Sequence, residues 1–533
     1  MRRRSSLLLA ATLLITPVVA APATAQAAQP AAVSAAAVTT RAVTIPSGSV
    51  SLDADVYLPS SSTGTVHPLV VLPASWSLPK QEYAAIAQTL AGKGYVAVAY
   101  TTRGWYSSTG TITVAGAPDQ ADVSAVIDWS LANTPVTAGT KVGTFGVSYG
   151  AGIGLLAAAT DPRIGAAVAL SGWTDLQTSL IPGNTLASQS IGLLGTSAKL
   201  TGRPDAVLTD ALAAASAGDV DRVIPLAETR SPGRRIAQLN ANGAALMVGN
   251  GWQDGIFPPD QFFDSWDSLT VPKRIMFQPG DHAISELGGI LGLPNNYVDA
   301  GVSWLGRYLL GTSGAAFPAV QVQPTLGGAV RTYPSLAALR TGTRRVYLGA
   351  PSGPLAISAS LTSTAPGTWT AKYAGGQESG AETGTVLLTG AGYAAGLPIK
   401  EWLPLIDRSA GLVWQTAPAG SATGLAGLPS LRVTLTPSTT KATVIAYLYD
   451  VDPAGTGTLL SWQPWTSKNL TAGQPVSAAI RLQPIVHTLA VGHRIALALD
   501  STESRFYSET ASGDTITVGG TPATAAYLDL PLG

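Results

Sequence analysis

From residue 43 onward the chain carries two kinds of hydrophobic pattern in turn. Residues 50–57 place Val50, Leu52, Ala54 and Val56 at every second position, the period of a half-buried strand. Short, mainly apolar runs follow at 69–72, 95–100, 142–145, 166–170, 244–248 and 274–277, each closed by a polar or Gly-rich loop. Helix-prone stretches lie between them, among them 81–91, 120–132 and 151–159. Apolar strands alternating with helices predict a mostly parallel sheet covered on both faces, with ligands held beyond the carboxyl ends of the strands. Residues 174–240 interrupt this rhythm. Pro182, Pro204, Pro225 and Pro232 punctuate helix-prone pieces such as 205–217 and 234–240, which predicts a helical cap over the strand ends. A further helix is expected around Asp260, Asp264 and Asp267, with these acids on a solvated face.

Beyond residue 312 the pattern changes. Alternating runs at 346–348, 431–435, 442–449, 478–482 and 494–499, separated by turns such as Asp452-Pro453-Ala454-Gly455, predict an antiparallel β-sandwich. The expected organisation is an α/β domain over 43–312 containing the cap, a connecting segment over 313–344 and the sandwich over 345–533. Ahead of them, Arg2, Arg3 and Arg4, an apolar stretch over 7–20 and the small-residue sites Ala23-Thr24-Ala25 and Ala25-Gln26-Ala27 read as a signal peptide, 1–27. The apolar stretch is shorter than the roughly 20 residues of a spanning helix, so export with cleavage is expected and no membrane anchor remains. An Ala/Pro/Gln-rich linker occupies 28–42.

Composition narrows the chemistry. At 533 residues the chain exceeds what one core usually serves. The 31 Lys and Arg balance 31 Asp and Glu and are scattered, which excludes a nucleic-acid or anionic-membrane partner. With no cysteine, thiol nucleophiles, thiolate metal sites and disulfides are excluded. No metal-ligand spacing or phosphate loop is visible, so no cofactor is expected. Asp450-Val451-Asp452 lacks the remaining ligands of a calcium loop and fits a hairpin better.

Residues 146–150 read Gly-Val-Ser-Tyr-Gly, after an apolar strand and before an Ala-rich helix. That is the setting of the nucleophile elbow of the α/β-hydrolase fold: the turn is so tight that its flanking positions must lack bulk, and Ser148 is thrust above the sheet. A serine nucleophile needs an oriented base. Of the four histidines, His67 precedes the elbow, and His487 and His493 fall in the sandwich; His282 follows the strand at 274–277, where the last triad member belongs. Asp254 is the first carboxylate after the strand at 244–248 and is the expected acid. Asp281 would have to turn back on its neighbour His282. Oxyanion donors are expected from the backbone N–H of Tyr149 and from the loop Pro73-Ala74-Ser75-Trp76, with Trp76 first and Ser75 next. Aromatic residues at strand ends, Trp105, Tyr106, Trp173, Trp252 and Phe257, suggest an apolar acyl or aromatic pocket.

With these residues placed, the chain resembles the cocaine-esterase/Xaa-Pro dipeptidyl-peptidase family of serine hydrolases over nearly its whole length past the N-terminal segment. Thr102-Arg103-Gly104 with Ser107, Ser108 and Gly110, then Asp119, Asp122 and Val126-Ile127-Asp128-Trp129, are similar to segments ahead of that family's nucleophile. Gly146-Val147-Ser148-Tyr149 and Gly251-Trp252-Gln253-Asp254-Gly255 are similar to its nucleophile and acid loops. Leu448-Tyr449-Asp450-Val451 with Gly455, and Gly492-His493-Arg494-Ile495, are similar to its jelly-roll domain. Two departures stand out. Gly280-Asp281 replaces the aromatic often found before the histidine, and Ala74-Ser75-Trp76 offers no tyrosine where several members use one in the oxyanion hole. The resemblance implies a secreted hydrolase of small esters, amides or short peptides. An acyl esterase is the first expectation and a dipeptidyl-peptidase the second. The peptidase would need a cap acid, from Asp205, Asp210, Asp219, Asp221 or Glu228, to hold a free amino group. A third, more remote, is an inactive hydrolase that binds carbohydrate or cell wall. The oligomeric state is not legible.

Overall fold

The computed structural model describes residues 38–59, 66–351 and 359–533. The expected signal peptide, and the linker up to residue 37, lie outside them.

Ten strands, β1 (Thr39–Ser47), β2 (Val50–Leu58), β3 (Leu69–Pro73), β4 (Val96–Tyr100), β5 (Val142–Val147), β6 (Ile164–Leu170), β7 (Ala245–Gly251), β8 (Lys273–Gln278), β9 (Val320–Val322) and β10 (Arg331–Tyr333), form one sheet. Their order is β1-β2-β4-β3-β5-β6-β7-β8-β9-β10. The strands from β4 to β9 run parallel, and antiparallel strands close both edges. β1 begins inside the stretch read as linker, because Thr39 to Ala42 pair with Leu58 to Asp55 across the first hairpin.

The period of two in the strands sorts side chains to two cores. Leu69, Val71, Val96 and Val98 face a core shared with α2 (Ala117–Asn133) and α3 (Tyr149–Thr160). Val70, Leu72, Ala97 and Ala99 face the opposite core, shared with α1 (Ala84–Gly92) and α10 (Asn296–Leu309). Between β6 and β7 the chain leaves the sheet for α4 (Leu176–Leu180), α5 (Ser188–Thr201), α6 (Ala206–Ser216), α7 (Val220–Thr229) and α8 (Ile236–Asn242). Asp175 and Asp205 start α4 and α6 by accepting the N–H of Thr178 at 2.9 Å and of Leu208 at 2.6 Å.

One expected helix is absent. Around Asp260, Asp264 and Asp267 only two 3₁₀ turns form, Pro259–Phe262 and Trp266–Ser268, because the backbone leaves the helical region at Ser265 (φ −127°, ψ −25°). Asp260 is buried rather than solvated, and Asp267 accepts the N–H of Leu336 and Ala337.

The C-terminal part is all-β apart from α11 (Leu388–Ala394) and short 3₁₀ turns, with α9 (Leu287–Ile290) the last short helix ahead of α10. Its core interleaves Val346, Leu348, Leu431, Val433, Val444, Leu448, Leu497 and Leu528. Strand Ala442–Val451 is buried at every position because both of its faces are covered. Ile445, Tyr447 and Tyr449 turn away from the sandwich core toward Ala187 of the cap and Leu403. The seam is sealed by polar pairs. The hydroxyls of Thr185 and Thr466 meet at 2.7 Å, and the N–H of Val486 reaches Thr325 Oγ1 at 2.9 Å. Asp450 ends that strand in a hairpin, its carboxylate bridging His487 Nε2 and His493 Nδ1, each at 2.7 Å. These two histidines are structural clamps far in the chain from the elbow.

Candidate active site

Ser148 stands between β5 and α3 at φ 55° and ψ −117°. The glycines of the motif are required by space. A Cβ at Gly146 would lie 2.2 Å from the backbone of Gly150, and one at Gly150 would lie 2.0 Å from the carbonyl oxygen of Pro73. The Ser148 N–H donates to Leu170 O at 2.8 Å, which pins the elbow to the next strand.

The structure brings the three expected side chains together although β6 separates their strands. Ser148 Oγ is 2.7 Å from His282 Nε2, and His282 Nδ1 is 3.0 Å from Asp254 Oδ2. All three residues are buried. The other oxygen of Asp254 accepts the N–H groups of Ile256 at 2.9 Å and Phe257 at 2.7 Å, so this carboxylate is held from both sides. Burial alone would lower the His282 pKa, but the adjacent Asp254 carboxylate outweighs it and the net shift is upward. Two further carboxyls surround the imidazole loop. Glu286 Oε1 accepts the Ser171 hydroxyl at 2.8 Å, and Ser171 Oγ in turn accepts the Ala283 N–H at 3.1 Å. Burial pushes Glu286 up to about 7. Asp281 does turn back on its neighbour, but through the backbone: its Oδ1 accepts the N–H of His282 at 2.8 Å and of Gly255 at 2.7 Å.

For a developing oxyanion, Tyr149 offers its N–H as the first residue of α3, a position with no intrahelical acceptor. The N–H of Trp76 has no acceptor among the described residues. Ser75 is a correction: its N–H donates to Glu82 Oε1 at 2.5 Å and its hydroxyl to Val147 O at 2.9 Å, so it braces the loop and has no donor left.

Above Ser148 opens an apolar cavity. Its walls are apolar stripes at helical spacing: Leu176 and Leu180 of α4, Ile191 and Leu194 of α5, Leu208 and Leu212 of α6, Val223 and Leu226 of α7. Trp173, Phe257 and Trp76 close it around the serine, and no charged side chain lines it. Trp76 also ties the wall to the cap, its Nε1 donating to Leu194 O and Ser197 Oγ, each at 3.1 Å. Of the five expected pocket aromatics, Trp173 and Phe257 are therefore in place and three are not. Trp105 is buried beneath the cap with Ile112, Ala198 and Leu208. Tyr106 is largely exposed and donates to Ser77 O at 2.7 Å. Trp252 stacks on Phe277 at 4.6 Å and donates to Gln323 O at 2.6 Å, pointing to the far side of its loop. The cap leucines were missed, although their three- and four-residue spacing was there to read.

None of the cap acids lines the cavity. Asp205 caps α6, Asp210 pairs with Arg222 at 2.5 Å and Glu228 with Arg234 at 3.1 Å. Asp219 precedes α7 and Asp221 is exposed on its first turn. Among the described residues no group of three or more His, Asp or Glu is placed to hold a metal ion, and no helix is long and apolar enough to cross a membrane.

Residues 47–284 match the family model of the X-Pro dipeptidyl-peptidase (S15 family), and residues 315–529 match that of the X-Pro dipeptidyl-peptidase C-terminal non-catalytic domain. Among solved structures the chain is similar to an aminopeptidase from the marine sediment archaeon Thaumarchaeota archaeon, with 15% identity, TM-score 0.73, and 96% of this chain and 99% of that one covered. It is also similar to an α-amino acid ester hydrolase, at 17% identity and TM-score 0.71, over 99% and 100% of the two chains. A third is a CocE/NonD family hydrolase from Staphylococcus aureus, at 13% identity and TM-score 0.71, over 93% and 94%. At these identities the likeness is one of fold. No curated protein matches the chain in sequence.

Proposed function

The chain belongs to the X-Pro dipeptidyl-peptidase (S15) family of serine hydrolases, and we propose that within it this protein is an acyl esterase acting on esters of apolar carboxylic acids. The observation that carries the reading is the hydrogen-bonded row Ser148–His282–Asp254 opening onto a cavity with no charged wall. In the proposed mechanism Ser148 Oγ attacks the ester carbonyl carbon as His282 Nε2 takes its proton. Asp254 keeps the Nδ1 proton in place and stabilises the imidazolium. The N–H groups of Tyr149 and Trp76 receive the negative charge on the carbonyl oxygen. The imidazolium then protonates the departing alcohol oxygen, leaving an acyl-serine. Water, deprotonated by the same imidazole, attacks that ester, and collapse of the second tetrahedral intermediate returns the proton to Ser148. The acyl chain occupies the cavity between α4 and α7, where removing apolar surface from water favours it.

The second reading, an X-Pro dipeptidyl-peptidase, is favoured by the description of the two matched models. It needs an anionic partner for a substrate's terminal ammonium beside the nucleophile, and none of the cap acids offered for that role lines the cavity. Rates on p-nitrophenyl esters from acetyl to dodecanoyl, set against Gly-Pro and Ala-Pro p-nitroanilides, test the choice. Faster turnover of the anilides would overturn the esterase assignment. Labelling by a fluorophosphonate, lost in Ser148→Ala, tests the nucleophile and would dispose of a binding-only role. The N-terminal pattern supports export with cleavage before residue 28; the N-terminal sequence of the secreted protein is its check.

A further inference from the structure

Asp281 is 1% exposed and lies where three segments meet. Its Oδ1 binds the N–H of Gly255, next to the acid, and the N–H of His282, the base itself. Its Oδ2 accepts the N–H of Gly390 at 3.1 Å, and Gly390 belongs to α11 of the C-terminal part. The approach is too close for any side chain: a Cβ on Gly390 would fall 2.4 Å from the Cβ of Asp281 and 2.5 Å from its backbone nitrogen. The same part of the chain supplies Arg505, 3% exposed, whose guanidinium stacks over Trp462 at 4.5 Å. Its Nη2 stands 3.0 Å from where a Cβ of Gly255 would be, and its positive charge favours the charged form of Asp281 from beyond ion-pair distance. A buried carboxylate that accepts three N–H groups fixes the backbone of all its partners at once.

We propose that the C-terminal sandwich is part of the catalytic apparatus: through Gly390 it holds Asp281, a positioning residue that sets the acid and base loops in register with each other. This rests on the reading of Ser148, His282 and Asp254 as the catalytic set. It assigns a function to a region whose matched model is described as non-catalytic.

Two substitutions separate this role from general support. Gly390→Ala pushes α11 away from Asp281 from the sandwich side alone. Asp281→Asn preserves an acceptor for Gly255 and His282 and turns an NH₂ toward the Gly390 N–H. Neither Gly390 nor Asp281 lines the cavity. The expected result with a p-nitrophenyl ester is therefore a fall in kcat of about 10- to 100-fold, with KM held within about twofold. In ¹H NMR spectra of the full chain the downfield Nδ1 proton of His282 is expected to shift or broaden in both variants. Ala394→Ser, on the exposed side of the same helix, should match the parent in rate and spectrum. A kcat within about twofold of the parent in either folded variant, with an unmoved His282 resonance, would overturn the proposal. If the parent protein itself hydrolyses no ester and Ser148 takes no label, the esterase reading fails separately. The His282 resonance still decides the clamp.

Discussion

Ser148 adopts its left-handed backbone because the chain must turn from β5 into α3 at a single residue, and two glycines make room for it. Gly150→Ala is accordingly expected to destabilise the fold by about 2–4 kcal/mol, since a methyl group would collide with Pro73 O, and urea unfolding measures this. Ser148→Ala and His282→Ala should each lower kcat by ~10⁶-fold with unfolding unchanged, because the two act as a unit. Asp254→Asn should cost about 10⁴-fold: its amide can still occupy the site but stabilises the wrong imidazole tautomer. These residues were readable from the sequence because so few others qualify, with four histidines and a single suitable loop. Ser75 was misread for a physical reason. Its N–H is taken by Glu82, a contact between a loop and the turn after it, and hydrophobic periodicity carries no record of polar contacts.

At the scale of elements the cap supplies most of the cavity wall above Ser148. Its helices present leucine, isoleucine and valine at helical spacing toward Ser148, so filling that space should change selectivity before chemistry. Ala211→Trp on α6 should cut kcat/KM for dodecanoyl esters about 100-fold and leave acetyl esters within about threefold; a p-nitrophenyl ester series reads both. The strands, the cap and the sandwich were visible in the pattern of apolar residues. The identity of the pocket wall was less so. Trp105, Tyr106 and Trp252 are large, apolar and close to strand ends, yet each faces away from the cavity. Periodicity assigns a residue to a face of its own element, and only the packing of several elements decides which volume that face encloses.

In the molecule as a whole, several carboxyls are folded into places that disfavour their charge, Glu401, Asp500 and Glu503 among them. Burial raises Glu82 to about 8 and Asp119, Asp260 and Glu286 to about 7. A folded-state pKa above the unfolded one stabilises the fold fully below the unfolded value, and this stabilisation fades as pH climbs through the folded value. The opposite holds for Asp161 and Asp450, where burial is outweighed by hydrogen bonds from Arg163 and from His487 and His493; their contribution disappears in acid. Thermal stability is therefore expected to be greatest at about pH 4–5, close to the unfolded carboxyl values, and to fall by roughly 5 °C or more in Tm by pH 8.5, as scanning calorimetry would show. None of this was legible in the sequence, since it depends on which acids the seam and the elbow enclose. The placing of the cap has a consequence for descent. It is one continuous insertion that leaves the sheet after β6 and rejoins it at β7, while Ser148, Asp254 and His282 all lie outside it. A lineage can exchange that insertion, and with it the molecules it digests, without disturbing the groups that cleave them. The edge of the sandwich at Gly390 has no such freedom, so drift should be slow there and rapid along α4 to α7.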